Sequence, residues 1–206
     1  MNLGYSARIQ ERIQAAEDGS IFISSDFTDI ADSETVRRNL NRLTQSSSLR
    51  RILKGVYEKP RYNWLMQEYV AADPDAVAKA LARKYHWTIA PCGNTALNLL
   101  GLSAQQVTVS WSYISDGPYR TYEWDGIRLE FKHRTNREIY GLSPVTSLVV
   151  QALKAIGKDA VTPEIVAQIS TRLTDAEKAD LLAEAKESTA WVYTSIRQIC
   201  REVSAG

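Results

Sequence analysis

The chain has 206 residues, enough for one large domain or two small ones, and its 44% hydrophobic and 24% charged content are ordinary globular values. It has a formal net charge of +1, no apolar stretch near the roughly 18 residues of a membrane span, and no apolar segment typical of a secretory signal. Its two cysteines and two histidines are too few for a disulfide framework and lack metal-ligand spacing, so we expect a cytoplasmic protein without metal or cofactor.

Four elements are predicted before residue 46. In chain order they are a helix over residues 3–16, a short apolar strand over residues 20–23, a short helix over residues 27–30 and a helix that begins at Ser33. The last helix carries Val36, Leu40 and Leu43 at positions i, i+4 and i+7, which form one apolar stripe. We therefore expect it to pack one face against a small core and to expose the rest.

A short basic hairpin is predicted directly after this helix. Leu49 and Val56 indicate two short strands, and the glycine of Lys54-Gly55 suits the turn between them. The order of helix, strand, helix, helix and hairpin over residues 1–62 fits a winged helix-turn-helix domain. The third helix of such a domain enters the major groove of DNA, and the hairpin lies along the phosphate backbone.

The charge of this segment differs from that of the rest of the chain. Residues 35–62 contain eight basic residues and one acid, Glu58, whereas the whole chain is only +1. The basic residues are Arg37, Arg38, Arg42, Arg50, Arg51, Lys54, Lys59 and Arg61. An arginine-rich helix taken alone is more often a solvated surface. Its combination with one apolar stripe and a basic glycine hairpin favours DNA binding.

The residue types predict how contacts to DNA divide. Arginine and asparagine hydrogen-bond the edges of guanine and adenine, whereas phosphate contacts position a protein without specifying sequence. The candidates for base contacts are Thr35, Arg38, Asn39 and Arg42. The candidates for phosphate contacts are Arg50, Arg51 and Lys54, and the further DNA-binding candidates are Arg37, Asn41, Lys59 and Arg61. Such domains usually bind paired half-sites, so we expect a homodimer on double-stranded DNA.

Residues 63–206 are predicted to form a second, mixed α/β domain with a helical C-terminal part, which makes the whole chain an α+β protein. Asp73 and Pro74 begin a helix, residues 87–89 form a strand, and residues 94–100 form a helix that Gly101 ends. Residues 107–113 and 127–133 alternate apolar and polar side chains, and a third strand over residues 121–124 lies between two turns. We expect these three strands to form an antiparallel meander with one buried face.

Four helices are predicted in the C-terminal part. They begin near residues 145, 162, 174 and 189, and the last one extends to residue 203. Thr174 and Glu177 have the spacing of a capping box at the start of the third helix.

No catalytic constellation is recognisable, so we expect no enzymatic activity. Asp26, Asp29 and Asp32 lie in a helix-and-turn segment and lack the strand-borne pair of carboxylates that holds two metal ions. His133, at the end of an alternating strand, is expected to be a structural or surface residue, and His86, between Tyr85 and Trp87, is expected to lie at an interface or in the core. The many aromatic residues between positions 62 and 140 favour a packed sheet, with a smaller part available to an interface.

The chain resembles the AbiEi-type antitoxin and transcriptional-regulator family. The segments that carry the likeness are RRILKGVYEKPRY, PCGNTALNLLGLS, VTVSWSYIS, IRLEFKHRT and the helix start Ser143-Pro144-Val145, and together they cover most of the chain. The resemblance implies an N-terminal DNA-binding domain that represses its own operon. It also implies a C-terminal domain that opposes a nucleotidyltransferase-like toxin in phage defence, without requiring a stable complex with that toxin.

Two other hypotheses stay open from the sequence. In one, the winged helix is a protein-protein interaction module whose basic face contacts an acidic partner, with no regulatory role on DNA. In the other, the second domain is an enzyme whose site is not recognisable. Salt-dependent binding to the DNA upstream of the gene separates the first from the regulator hypothesis.

Overall fold

The computed structural model of the protein describes residues 4–103, 109–134 and 139–201, and it has an α+β fold with three small sheets. The chain divides into two compact units, one of Met1–Trp87 with Tyr122–Gly126 and one of Thr88–Thr121 with Ile127–Gly206. The boundary predicted after residue 62 therefore lies inside the first unit.

The first unit begins with the elements that the sequence predicts. In order they are α1 (Tyr5–Ala15), β1 (Ile21–Phe22), a 3-10 helix (Ser24–Phe27), α2 (Ser33–Gln45), β2 (Arg50–Leu53) and β3 (Val56–Glu58). The short helix covers Ser24–Phe27 and not residues 27–30 as predicted, because the Asp26 carboxylate accepts the Ile23 N–H at 2.9 Å and holds the chain in a turn there. The predicted apolar stripe of α2 is buried, and it packs with Ile9 and Phe27 in the core of this unit.

A three-stranded antiparallel sheet closes this core, with strand order β1-β3-β2. The predicted hairpin is present, and Gly55 in its turn has φ +72°, a conformation that L side chains rarely adopt. Asp32 starts α2 as its N-cap, because its Oδ1 accepts the N–H groups of Glu34 at 3.0 Å and Thr35 at 2.9 Å.

The rest of the first unit consists of a second hairpin and a helix. The hairpin pairs β4 (Tyr62–Asn63) with β5 (Glu68–Tyr69), and α3 (Pro74–Tyr85) follows. Asp73 caps α3 and Pro74 is its first residue, as predicted, because proline lacks the N–H that would be unpaired there.

The antiparallel meander predicted for residues 107–133 is wrong. The strands are β6 (Ile89–Pro91), β7 (Ser110–Ser115), β8 (Arg120–Trp124) and β9 (Ile127–His133), in the order β6-β7-β9-β8. β7 pairs with β9 in parallel, from Ser110 opposite Arg128 to Ser115 opposite His133. Alternation in a sequence indicates which face of a strand is buried, but it does not indicate which strand is its neighbour. Residues 107 and 108 of the predicted strand lie outside the described residues.

Hydrogen bonds hold the loop that follows β7. The loop after β7 passes the end of β9 before β8 begins, and His133 donates from Nδ1 to the carbonyl oxygen of Gly117 at 2.9 Å. The Gly117 N–H donates to Ser115 Oγ, also at 2.9 Å. His133 thus has the structural role that the sequence predicts for it.

The remaining helices form the second core. They are α4 (Asn94–Leu99), α5 (Pro144–Ile156), α6 (Pro163–Ser170), α7 (Asp175–Glu184) and α8 (Ala190–Arg201). Leu153, Ile169, Leu181 and Ile196 are buried where they meet. The predicted capping box between Thr174 and Glu177 is confirmed at the start of α7. Within the described ranges, no helix is long and apolar enough to cross a membrane.

Candidate nucleic-acid interface

The rotation of α2 decides which of its polar residues can reach a ligand. Since its apolar stripe is buried and an α-helix has about 3.6 residues per turn, the exposed side chains fall into three rows. Arg37 and Asn41 lie on the flank that faces the β2–β3 hairpin. Arg38 lies at the centre of the exposed face. Asn39 and Arg42 lie on the flank that faces α1, where Arg42 donates to a serine of that helix.

Arg37 and Asn41 line a cleft of about 420 Å³ together with Arg51 and Lys54 of the hairpin and Lys84 of α3. We call it the basic cleft. Four of these five side chains are cationic, and no acid is among its lining residues in the described chain. Within the same described residues, Arg37, Arg51 and Lys54 make no side-chain hydrogen bond or ion pair with the protein. The cleft therefore concentrates uncompensated positive charge next to the outer face of α2.

The sequence did not indicate Lys84 as part of this surface. Its ammonium donates to the carbonyl oxygen of Lys54, 30 residues away in the chain, and so ties α3 to the hairpin turn. A side chain at Gly55 would place its Cβ 3.0 Å from Lys84 Nζ, so the ammonium passes close to the backbone of the turn. No local pattern announces such a contact, because it depends on how α3 packs on the sheet.

The two arginines expected to contact bases have weak partners in the protein. Arg38 forms an exposed ion pair with Glu34, one turn earlier on α2. Arg42 donates to Asn39 Oδ1 at 2.9 Å and to Ser6 Oγ. Exposed ion pairs and hydrogen bonds of this kind contribute at most about 1 kcal/mol, so a phosphate or a base can replace them.

The polar candidates on α2 are more firmly held. Thr35 Oγ1 donates to Asp32 Oδ2 at 2.7 Å, and Asn39 donates to the Thr35 carbonyl oxygen at 2.8 Å. The N–H and hydroxyl of Thr35 keep the pKa of the Asp32 carboxyl below its usual value. Asn41 Oδ1 accepts from the Tyr57 hydroxyl at 2.9 Å, and Asn41 also lines the basic cleft. The main role of Thr35 in the structure is therefore to bind the N-cap residue Asp32 at the start of α2.

Arg50 has its charge balanced inside the first unit. Its Nε and Nη2 donate to Glu58 Oε2 at 2.9 and 2.7 Å, and its Nη1 lies 3.1 Å from Asp125 Oδ2. Its Nη2 also donates to the Val70 carbonyl oxygen at 3.2 Å. Burial raises the pKa of the Glu58 carboxyl, and the Arg50 guanidinium opposes that rise. The expected phosphate contact of Arg50 stays a prediction, and its geometry is that of a structural ion pair.

Lys59 is held by partners within the first unit, whereas Arg61 is exposed. Lys59 donates to the carbonyl oxygens of Gln14 at 3.1 Å and Ala16 at 2.7 Å, and its ammonium lies 3.0 Å from Asp18 Oδ1. It therefore satisfies backbone groups at the C-terminal end of α1. Arg61 is exposed at the start of the second hairpin.

The described residues contain no group of three or more histidine, cysteine, aspartate or glutamate side chains that could hold a metal ion. Asp26 and Asp29 instead bind arginines. Arg12 donates to both carboxylate oxygens of Asp29 at 2.8 and 2.6 Å, and Arg83 lies 3.3 Å from Asp26 Oδ2. These carboxylates hold the 3-10 helix against its neighbours within the first unit.

Comparisons with known proteins identify the family of this chain but do not identify its activity. No curated protein matches the chain significantly. One similar solved structure is the crystal structure of the RV2827C protein from Mycobacterium tuberculosis, with a TM-score of 0.42 and 14% identity over 95% of this chain and 76% of that chain. Similarity at that level supports no functional assignment. The model of a family of unknown function, DUF6088, matches residues 8–181, and the chain therefore belongs to that family.

Proposed function

We propose that the first unit is a winged helix-turn-helix domain that binds double-stranded DNA and represses the promoter of its own gene. In this proposal α2 enters the major groove, and the β2–β3 hairpin is the wing that follows the phosphate backbone. The observation that carries the proposal is the basic cleft, which is lined by four cationic side chains and lies between the helix and the hairpin.

The chemistry of the cleft favours a polyanion as its ligand. Arg37, Arg51 and Lys54 have no acidic partner in the described chain, and each phosphate that they neutralise releases condensed counterions from DNA. Lys84 adds a fourth charge from outside the predicted domain and fixes the turn of the wing through the Lys54 carbonyl oxygen. A turn that is already fixed lowers the entropic cost of ordering the hairpin backbone on binding.

The exposed face of α2 supplies residues for reading sequence. Arg38 and Arg42 project from it with only weak partners, and arginine is the side chain that most often contacts guanine. Phosphate contacts from the cleft would hold the helix in register, while these two arginines select the base pairs.

The second unit is the part that we assign to an antitoxin role against a nucleotidyltransferase-like toxin. The support for this role is the sequence resemblance to the AbiEi-type family. A toxin gene directly next to this one, whose toxicity in cells is relieved when this protein is co-expressed, is the expected observation. Unrelieved toxicity would remove the antitoxin role and leave the DNA-binding role untouched.

Binding to the DNA fragment upstream of the gene tests the central proposal. We expect the purified protein to prefer this fragment over random DNA of the same length, and its affinity to fall steeply and linearly in a plot of log affinity against log salt concentration. Equal affinity for both fragments, or a flat response to salt, would contradict the proposal.

A further inference from the structure

The β4–β5 hairpin presents an apolar tip to solvent. Trp64, Leu65 and Met66 are 84%, 92% and 62% exposed. Turns are usually polar, because water solvates their backbone and side chains, and three consecutive large apolar residues at a tip are unfavourable unless something covers them. We refer to these three residues as the apolar tip.

The apolar tip has a defined shape. Asn63 Oδ1 accepts the N–H groups of Leu65 at 3.0 Å and Met66 at 3.2 Å, which fixes the turn. The Tyr62 ring meets the rings of Trp64 and Tyr69 edge to face, with centroids 4.7 and 5.1 Å apart. The backbone of the turn and its aromatic base are therefore fixed, and Leu65 and Met66 project from them into solvent.

The hairpin is continuous with the proposed DNA-binding surface. Tyr69 lines a second cleft of about 410 Å³ with Arg51 and with Thr44 and Ser47 near the C-terminal end of α2. Arg51 thus borders both this cleft and the basic cleft. The exposed Arg61 lies next to Tyr69 at the open end of the same hairpin, where the Val70 N–H donates to the Arg61 carbonyl oxygen at 2.9 Å. A duplex that extends from the basic cleft over the second cleft would reach this open end, and the apolar tip lies two strand residues, about 7 Å, beyond it.

The size and charge of this surface favour DNA over a second protein copy. A stable protein dimer typically buries about 800 Å² and 20–30 residues on each partner, whereas the tip is one narrow turn of three side chains. The charged side chains that line the two clefts are cationic, which suits a polyanion, and the hairpin itself carries Glu68 in β5 with Arg61 just before β4. Leucine and methionine are also among the side chains that proteins insert between base pairs to kink a duplex.

We propose that the apolar tip is a wedge that inserts Leu65 or Met66 between stacked base pairs and bends the bound DNA. This inference rests on the proposed DNA-binding function and adds the deformation of the duplex to it. Sequence steps that unstack easily, such as TA and CA, would then favour the site without any hydrogen bond to their bases.

A paired measurement on the upstream duplex tests the wedge. The footprint of the protein locates its site, end-labelled dyes report bending by energy transfer, and 2-aminopurine placed within the site reports unstacking by its fluorescence. We expect the wild-type protein to raise both signals. The Leu65→Ala, Met66→Ala double variant should bind roughly tenfold more weakly, keep the salt slope, and lose both signals, because it cannot fill the gap between the bases.

Two further variants complete the test. Leu65→Gln with Met66→Gln keeps the side-chain length and removes the apolar character, and it should also lose both signals. Leu99→Ala with Val109→Ala removes exposed aliphatic groups in the second unit and should behave like the wild-type protein. Unchanged thermal unfolding of each variant shows that the fold is intact, as expected for exposed side chains.

The outcomes separate the wedge from the DNA-binding function. Wild-type binding with no unstacking signal, or full signals with both tip variants, would overturn the wedge and leave the DNA-binding proposal standing. A third outcome would assign the tip to contacts with a second copy of the protein instead. In that outcome the wild-type protein does not unstack the DNA, and light scattering shows that the tip variants are monomers where the wild-type protein is a dimer. Absence of any preference for the upstream duplex would overturn both proposals.

Discussion

The Arg50 guanidinium binds the buried Glu58 carboxylate through two nitrogens, with Nε and Nη2 at 2.9 and 2.7 Å from Oε2. The Glu58 side chain is 2% exposed and that of Arg50 is 29% exposed, and the two residues lie directly opposite each other on β2 and β3. Glu58 is the only acidic residue among residues 35–62, and it is paired with one of the arginines of that segment. The pair joins the two strands of the β2–β3 hairpin, while Arg51, next to it, lines both clefts.

Glu58→Ala should lower the free energy of unfolding by about 3 kcal/mol, because it leaves the partly buried Arg50 charge without its main partner. Urea denaturation followed by circular dichroism measures this loss. Glu34→Gln is the matched control, since it removes an exposed ion pair with Arg38 and should cost less than about 1 kcal/mol. Equal effects of the two substitutions would mean that the buried pair is not structural.

Arg51→Ala combined with Lys54→Ala should reduce the salt slope of DNA binding by about 2, because about one counterion contribution is lost with each phosphate contact. The affinity for the upstream fragment and for random DNA should fall by similar factors. Lys158→Ala with Lys186→Ala removes the same charge from exposed positions of the second unit and should leave the slope unchanged. A similar drop in both double variants would indicate long-range attraction only.

Arg38→Ala combined with Arg42→Ala should abolish the preference for the upstream fragment and leave the fold intact. Each lost base contact reduces discrimination by about 1–3 kcal/mol, and neither side chain is part of the core. Competition between the specific fragment and random DNA measures the effect. Retained preference would show that α2 is not the recognition helix.

Gly55→Ala should destabilise the first unit by roughly 1 kcal/mol, since φ is +72° there and an alanine Cβ would lie 3.0 Å from Lys84 Nζ. The displaced ammonium would also weaken its bond to the Lys54 carbonyl oxygen, so DNA affinity should fall with stability. Gly4→Ala is the control, because its φ is −63° and no heavy atom lies within 4 Å of the added Cβ. Thermal unfolding of both variants distinguishes backbone strain from a general effect of alanine.

The Glu177 carboxyl makes the stability of α7 depend on pH. The N–H and hydroxyl of Thr174 donate to it, and they lower the pKa of Glu177 below its usual value. A lowered folded-state pKa contributes stability that is present above the unfolded-state pKa of about 4.3 and is lost as the pH falls through the folded-state value.

Glu177→Gln keeps a hydrogen-bonding group in the capping box but cannot titrate. The melting temperature of the wild-type protein should therefore exceed that of the variant at neutral pH, and the difference should disappear in acid. A difference that is constant across this pH range would mean that the carboxylate charge makes no contribution.

Local patterns in the sequence predicted α1, α2, the β2–β3 hairpin and the start of α3 correctly, but they did not place the short helix or predict the β4–β5 hairpin. The buried stripe of α2 consists of Val36, Leu40 and Leu43. The turn of the hairpin contains Gly55, and Asp73 caps α3. Each of these signals acts within one helical turn or one tight turn, so neighbours in the chain are enough to specify it. The concentration of positive charge in residues 35–62 is equally a property of the sequence.

The pairing of strands in the second unit needed the tertiary structure. Alternation predicted a buried face for residues 127–133, and Leu129 and Phe131 are buried. It did not predict that β9 lies between β7 and β8, because the crossing depends on a loop that His133 and Gly117 hold together. Faces follow from a period of two residues, whereas neighbours follow from contacts between distant segments.

The sequence by itself determined that a basic helix and a basic hairpin adjoin in one segment, but the fold decided which charges remain available. Arg50 and Lys59 are engaged by Glu58 and by the end of α1, while Lys84 joins the basic cleft from α3. The physical reason is that a charge is neutralised or exposed by partners within a few ångströms in space. Those partners come from elements that only packing brings together.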